Sequence, residues 1–211
     1  MDTSGRRRAP RSDGRRNRGL IMEAAARAFA VEGAEASLNA VARDAGVGIA
    51  TVFRHFPTRE ALVEAIYREA LETLCAAAPA LAAEYDALPA TRAWMAKFLD
   101  YIGLQSGMAD TLRALIDTET DLDSRVGTVA QLTAAVDTLL DKGRQEGLVS
   151  ARVLAVDVVA ALTGIATTAG RPTQRDQADR LVDLLIAGIT ALGGASDSTD
   201  GVATGSANRS S

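Results

Sequence analysis

The chain has 211 residues, a formal net charge of −4 at pH 7, one cysteine and one histidine. A single cysteine excludes a disulfide framework and a cysteine-rich zinc module, and a single histidine argues against histidine-based metal sites. Aromatic residues make up only 4% of the chain, whereas alanine, which has the highest helix propensity, is abundant. The composition therefore predicts an all-α protein that needs no metal and no other cofactor.

The charge is unevenly distributed along the chain. Residues 1–60 carry a formal charge of +4 and residues 61–211 one of −8. A basic end on an acidic body indicates contact with a polyanion, although a merely solvated arm would have the same composition. Residues 1–14 are predicted to form a flexible basic arm, and residues 193–211, rich in Gly, Ser and Thr, a disordered tail.

Between these ends we find only helical periodicity and predict about nine helices. The first carries an apolar stripe that ends near Gly33, and two short helices follow, over 38–45 and 49–56. The next begins after Pro57 and is expected to stop at Pro79. The remaining predicted helices begin at Pro89 or cover residues 108–116, 126–147, 152–169 and 173–192.

The two short helices are joined by Ala45-Gly46-Val47-Gly48, which is helix-turn-helix spacing. Gly46 supplies the tight bend. One face, predicted to pack on the preceding helix, consists of Val41, Ala42, Val47, Val52 and Phe56. The outer face consists of Asn39, Arg43, Ile49, Ala50, Thr51, Phe53, Arg54 and His55. This mixture suits the major groove of DNA, but a plain helical hairpin remains open on this evidence.

A longer string is more specific. Residues 37–62, SLNAVARDAGVGIATVFRHFPTREAL, resemble the signature of the TetR family of bacterial transcriptional repressors, and residues 21–33, IMEAAARAFAVEG, resemble the family's first helix. The resemblance covers residues 15–75; beyond them only the number, length and order of helices agree. It implies a DNA-binding domain over 15–57 and an effector-binding and dimerisation domain over 58–192.

The resemblance also implies individual roles in DNA binding. Thr51 and His55 are expected to contact the DNA backbone, Arg59 a phosphate, and Ser37 either to cap the second helix or to contact phosphate. The base-facing positions are Asn39, Ile49 and Arg54. The arm would lie along the minor groove. The chain departs from the family pattern at Phe53, which replaces Tyr, and at Gly48, which replaces Ser.

The later helices would bind a small, largely apolar effector and form a homodimer. The candidate pocket consists of Trp94, Phe98, Tyr101, Leu112, Ile116, Leu132 and Val136, although each residue alone fits an ordinary core. The last two helices carry more apolar surface than a small bundle buries, which a two-fold four-helix interface would cover. That predicted interface consists of Leu154, Val158, Leu162, Ile165, Leu181, Leu185, Ile189 and Leu192.

Other readings are weaker. Gly103-Leu-Gln-Ser-Gly107 has its serine in the wrong position for a nucleophile elbow, with no strand before it. The acids at 117–123 lack the Gly and Glu of a calcium loop, and Cys75 lacks the electropositive setting of a redox sensor. Asp157 interrupts the most apolar stretch, so no membrane span is predicted.

The sequence therefore predicts a cytoplasmic regulator, not an enzyme, that binds a pseudo-palindromic operator as a dimer and is released by its effector. A regulator of the same fold that is controlled by a protein partner, or that activates transcription, is the alternative. A purely structural helical bundle is the third possibility, and it predicts no sequence-specific DNA binding.

Overall fold

The computed structural model describes residues 10–33, 36–107, 121–169 and 172–194. Within these ranges the regular structure is entirely helical, with a short 3-10 turn at Pro172–Gln174. The eight α-helices are α1 Pro10–Glu32, α2 Leu38–Asp44, α3 Ile49–His55, α4 Arg59–Glu84, α5 Ala87–Gly107, α6 Asp121–Gln145, α7 Ala155–Ala169 and α8 Arg175–Gly194. The all-α prediction is confirmed. The helix predicted over 108–116 and the tail beyond Gly194 lie outside the described residues.

The chain divides into two compact units. The first comprises Met1–Leu74 and Asp100–Thr128, and the second comprises Cys75–Leu99 and Val129–Ser211. The division falls within α4, whereas the functional division was predicted at residue 57. The difference arises because residues of the first half of α4 belong to the same apolar cluster as α1, α2 and α3.

The core of the first unit is formed by one face of each of its first four helices. Its fully buried members are Ile21, Ala25 and Phe29 of α1, Val41 of α2, Val52 of α3, and Leu62 and Val63 of α4. The apolar stripe predicted for α1 is therefore confirmed. Because α2 and α3 each have only seven residues, too few to be stable as isolated helices, this core holds them in place.

Two helix boundaries differ from those predicted. Pro79 lies inside α4, which continues to Glu84, although a proline removes one hydrogen bond from the helix interior. The surrounding alanines favour the helix, and the Lys142 ammonium donates a hydrogen bond to the Ala82 carbonyl at 2.9 Å. At the other end of the chain, α1 begins at Pro10, within the predicted arm, because proline is well tolerated in the first turn of a helix.

The end of α6 organises a corner of the second unit. While Lys142 binds the end of α4, the Glu146 carboxylate accepts hydrogen bonds from the Ala87 amide at 3.1 and 3.2 Å, at the start of α5. A cation at a helix C-terminus and an anion at an N-terminus both complement the helix dipoles. The turn after α6 is close-packed, since a Cβ at Gly143 would lie 2.5 Å from Val149 Cγ2.

Candidate nucleic-acid interface

The turn between α2 and α3 is tight. Gly46 has a φ of +68°, in the left-handed region that glycine adopts at little cost. The Ala45 and Val47 amides donate hydrogen bonds to the Val41 and Ala42 carbonyls, both at 2.9 Å. These bonds satisfy the last carbonyls of α2 and lead the chain directly into α3. The predicted helix-turn-helix and the predicted role of Gly46 are confirmed.

Neither short helix has a side-chain cap at its N-terminus. Ser37 and Gly48 are the N-cap residues of α2 and α3, and neither makes a side-chain capping hydrogen bond. The Gly48 carbonyl accepts a hydrogen bond from the Thr51 amide at 2.8 Å. Ser37 was expected either to cap α2 or to contact phosphate. Its hydroxyl does not cap α2 in the structure, so the phosphate contact is the role that stays a prediction. The exposed side chain lies at the start of α2.

The two faces of the motif are divided largely as predicted. Val41, Ala42, Val52 and Phe56 are buried and Val47 is half-buried. On the opposite face, the exposed residues are Ser37, Asn39, Arg43, Ala50, Phe53 and Arg54, and the half-buried ones are Ile49, Thr51 and His55. Ile49 packs partly against the core cluster. The structure thus brings nine of the ten predicted DNA-binding residues to the surface of α2 and α3.

Arg59 is the exception. Its guanidinium donates hydrogen bonds to the Ala36 carbonyl at 2.8 Å and the Gly33 carbonyl at 3.3 Å. The group lies over the Phe29 ring, 4.8 Å from its centroid, and Nε is buried. These bonds connect α4 to the residues that follow the end of α1, where a positive charge is favoured. The phosphate contact expected of Arg59 stays a prediction.

Two arginines of α1, Arg18 and Arg27, make contacts that sequence reasoning missed. Arg18 places its guanidinium 4.7 Å from the centroid of the Phe56 ring, at the end of α3, which is a cation–π contact. Arg27 forms an ion pair with Asp44 at 2.8 Å, at the end of α2. Spacing along the sequence gives no signal for either contact, because each partner lies on a different helix.

Arg27 matters for the electrostatics of the motif. Asp44 is the sole acidic residue between Ala36 and Phe56, and Arg27 neutralises it. The exposed Arg43 and Arg54 therefore face solvent with little opposing charge on α2 and α3. The surface is suited to an anionic partner.

The candidate pocket residues that the structure describes are buried. Trp94, Phe98, Leu132 and Val136 belong to the second unit, and the Trp94 and Phe98 ring centroids are 5.9 Å apart. Tyr101 is buried in the first unit; Leu112 and Ile116 lie outside the described residues. Burial is expected of both a cavity wall and an ordinary core, so the pocket stays a prediction.

A second tyrosine of the first unit lies near Tyr101. Burial, and secondarily the charge of Tyr101, raises the pKa of Tyr67 well above its ordinary value. The Tyr67 hydroxyl, which is protonated at neutral pH even with its ordinary pKa, therefore also stays a protonated hydrogen-bond donor in alkaline solution.

The predicted dimer face divides into three groups. Val158, Leu162 and Ile189 are buried within the chain, a correction that follows from the packing of α7 against α8. Leu154 is exposed, and Ile165, Leu181 and Leu185 are half-buried; the Leu192 side chain lies outside the described residues. The most exposed large apolar side chain of α8 is Leu184, at 68%, which sequence reasoning did not single out.

The alternative chemistries find no support in the described part of the chain. Residues 101–107 lie within α5, so no strand leads to Ser106. Burial raises the pKa of the Cys75 thiol, the opposite of what a reactive thiolate requires. Across the described ranges, no group of His, Cys, Asp and Glu could hold a metal ion. None of the helices described there combines the length and apolar character that crossing a membrane requires.

Two family models match most of the chain. The model described as bacterial regulatory proteins of the tetR family matches residues 21–66. The model described as the C-terminal domain of SbtR-like transcriptional regulators matches residues 86–191. The first match includes all of α2 and α3, and the second includes most of α5 to α8.

Solved structures agree with these matches. A TetR transcriptional regulator from Streptomyces coelicolor is 43% identical with a TM-score of 0.72, covering 82% of this chain and 98% of that chain. A TetR transcription regulatory protein from Mycobacterium vanbaalenii is 27% identical with a TM-score of 0.69, covering 86% and 99%. The chain therefore belongs to the TetR family of bacterial transcriptional regulators and is a DNA-binding regulator.

Proposed function

We propose that the protein is a homodimeric repressor that binds a pseudo-palindromic operator through α2 and α3 and is released by a small, largely apolar effector. The observation that carries this proposal is the outer face of α2 and α3, where nine predicted contact residues lie on a surface with little acidic charge. Effector binding would shift the population toward a conformation that no longer fits the operator.

The residue chemistry supports a division of labour on the DNA. Arg54 is exposed near the end of α3, and a guanidinium can bind guanine through two hydrogen bonds in the major groove. Asn39 can read adenine in the same way. Ser37, Arg43, Thr51 and His55 have donors suited to phosphate oxygens. Arg59 is omitted from this set because its guanidinium already has partners within the protein.

The exposed surface of α7 and α8 supports the dimer. Leu184 is followed on its own helix by the exposed Ala187 and Gly188, while Arg180 and Asp183 on its other side are also exposed. Helix α7 exposes the small residues Ala160 and Gly164. Small residues allow helices to approach closely, and a leucine would be buried between two copies of this face. A two-fold axis through it would produce a four-helix interface.

The buried aromatic residues support an apolar effector. The Trp94 and Phe98 rings lie 5.9 Å apart between centroids, and Leu132 and Val136 are buried in the same unit. Small-molecule sites are usually lined by apolar and aromatic side chains with a few polar groups. The effector would have to bind the released conformation more tightly than the DNA-bound one to act as an inducer.

A gel shift with DNA from upstream of the protein's own locus tests the proposal, combined with a reporter driven by that DNA. We expect a specific complex of two protein chains per site and higher reporter expression when the gene for the protein is deleted. Lower expression on deletion would make the protein an activator. No preference for this DNA over scrambled DNA at any salt concentration would contradict operator binding.

A further inference from the structure

The exposed face of α3 includes an aromatic ring. Phe53 is 46% exposed, while Val52 and Phe56, its neighbours on the other face, are buried in the core. Ala50, three residues earlier and therefore on the same side of the helix, is also exposed. Together Ala50 and Phe53 form an apolar patch at the centre of α3, which we call the α3 patch.

The residues around the α3 patch are cationic. Arg54 follows Phe53 directly, Arg43 is exposed on α2, and Asp44 is paired with Arg27 at 2.8 Å. A partner that complements this surface must be anionic at its edges and apolar at one point. The major groove of DNA has this character, because phosphates flank it and the methyl group of thymine is the apolar group on its base edges.

We propose that Phe53, together with Ala50, recognises a thymine methyl group in each half of the operator. The inference rests on the proposed function, in which α3 enters the major groove, and extends it to one base. The family usually has Tyr at this position, with a hydroxyl that can donate to phosphate; Phe53 has none, so its exposed ring can contribute apolar contact only. Phe and Ala are both side chains that contact this methyl favourably.

The same contact discriminates against cytosine. A cytosine at that position would present its N4 amino group, a hydrogen-bond donor, to a ring and a methyl group that offer no acceptor oxygen. A donor that loses water without gaining a partner is costly. The α3 patch therefore selects thymine through a gain at the methyl group and a penalty at the amino group.

Replacement of thymine by uracil tests the proposal, because it removes the methyl group and leaves the base-pairing edge unchanged. Each thymine of the operator found by binding-site selection is replaced in turn, and affinity is measured with the full chain. For the wild-type protein we expect one thymine per half-site to be sensitive, with a loss of about fourfold, the factor expected for one buried methyl group.

The Phe53→Ser variant is then measured on the same DNA. Its uracil penalty should be well below that of the wild type, because only the smaller Ala50 contact with the methyl group remains, whereas Phe53→Leu should retain more of the preference. Phe53 is on the surface, so we expect both variants to fold, which a thermal melt checks. Weak binding is restored by lowering the salt concentration, since phosphate contacts strengthen. Val31→Ser is the matched control, because Val31 is an 85% exposed apolar residue of α1.

Each outcome is decisive. A uracil penalty in the wild type that falls in Phe53→Ser and persists in Val31→Ser supports the inference, whereas a penalty that falls equally in both variants overturns it. A wild-type protein that binds its operator but is insensitive to uracil everywhere overturns it, and so does a penalty that is unchanged in Phe53→Ser. If the wild type shows no sequence-specific binding at all, the proposed function itself has failed.

Discussion

The outer face of α3 and the outer face of α8 both expose a large apolar side chain, but in different surroundings. Phe53 is accompanied by Arg43 and Arg54 on a surface whose one acid is already paired. Leu184 is followed by the exposed Ala187 and Gly188. On its other side lie the exposed Arg180 and Asp183, and Asp183 is paired with Arg92 at 2.9 Å. A cationic rim complements a polyanion, whereas a face with small residues and charges of both signs can complement a second copy of itself. The surroundings of an exposed apolar residue, more than its exposure, indicate what covers it.

The largest expected effect is that of a charge on the α8 face. Leu184→Glu would bury two carboxylates across the two-fold axis, which is costly when they are unpaired. We expect the dimer to dissociate and operator affinity to fall by orders of magnitude, because a monomer loses the gain from linked binding of two half-sites. The melting of the individual chain should change little, since the side chain is 68% exposed.

Sedimentation and gel shifts on the same protein measure this effect. Val126→Glu is the matched control, because Val126 is also 68% exposed but lies on α6 in the first unit. Ile189→Glu serves as a contrast: Ile189 is only 4% exposed within the chain, so we expect the second unit to unfold. A Leu184→Glu protein that remains dimeric with wild-type affinity would place the interface elsewhere.

The second largest effect is expected from Arg59, which connects α4 to the segment between α1 and α2. Arg59→Ala leaves the Gly33 and Ala36 carbonyls without their guanidinium partner, and we expect a loss of stability of about 2 kcal/mol. Operator affinity should fall at every salt concentration, while the slope of log affinity against log salt stays unchanged, because no phosphate contact is lost. A slope that becomes shallower by nearly one unit per half-site would show that Arg59 binds phosphate after all.

A smaller effect is expected from the arm. A deletion of residues 1–9 removes Arg6, Arg7 and Arg8 and leaves every described residue of α1, Pro10–Glu32, in place. If these residues contact phosphates, the deletion makes the slope of log operator affinity against log salt concentration shallower by nearly one unit per lost contact. Equal slopes for both proteins would exclude the arm from the interface and leave the α2–α3 surface to account for the electrostatic part of binding.

The smallest effect is expected from the C-terminal end. Truncation after Gly194, the last residue of α8, removes one sizeable apolar side chain, Val202. Melting temperature, dimerisation and DNA affinity should therefore stay within error of the full chain. A drop of several degrees in the melting temperature would indicate that the tail contributes to one of the two faces.

The helix-turn-helix and the outer face of α8 also differ in how well the sequence predicts them. The burial of Val41, Val52 and Phe56 and the turn at Gly46 follow from periodicity and backbone preference within about twenty residues, so they could be predicted. The inward direction of Arg59 could not, because its partners Gly33 and Ala36 lie 26 and 23 residues away along the chain, and a long side chain has many rotamers.

The α8 face was predicted less well for a related reason. The helix has apolar residues on more than one side, and periodicity does not distinguish the side that packs within the chain from the side that remains exposed. Ile189 is on the first and Leu184 on the second. The continuation of α4 past Pro79 could not be predicted from local sequence either, because the Lys142 side chain that donates a hydrogen bond near the end of α4 belongs to another helix.

Binding-site selection from random DNA, performed in parallel with the wild-type protein and Arg54→Ala, tests most directly the claim that α3 reads an operator. For the wild type we predict enrichment of an inverted repeat. Arg54→Ala should lose about 1–3 kcal/mol of affinity for that site and relax the base preference at one position in each half. A wild-type protein that enriches no sequence, or an Arg54→Ala variant with an unchanged preference at every position, would contradict the assignment of α3 as the recognition helix.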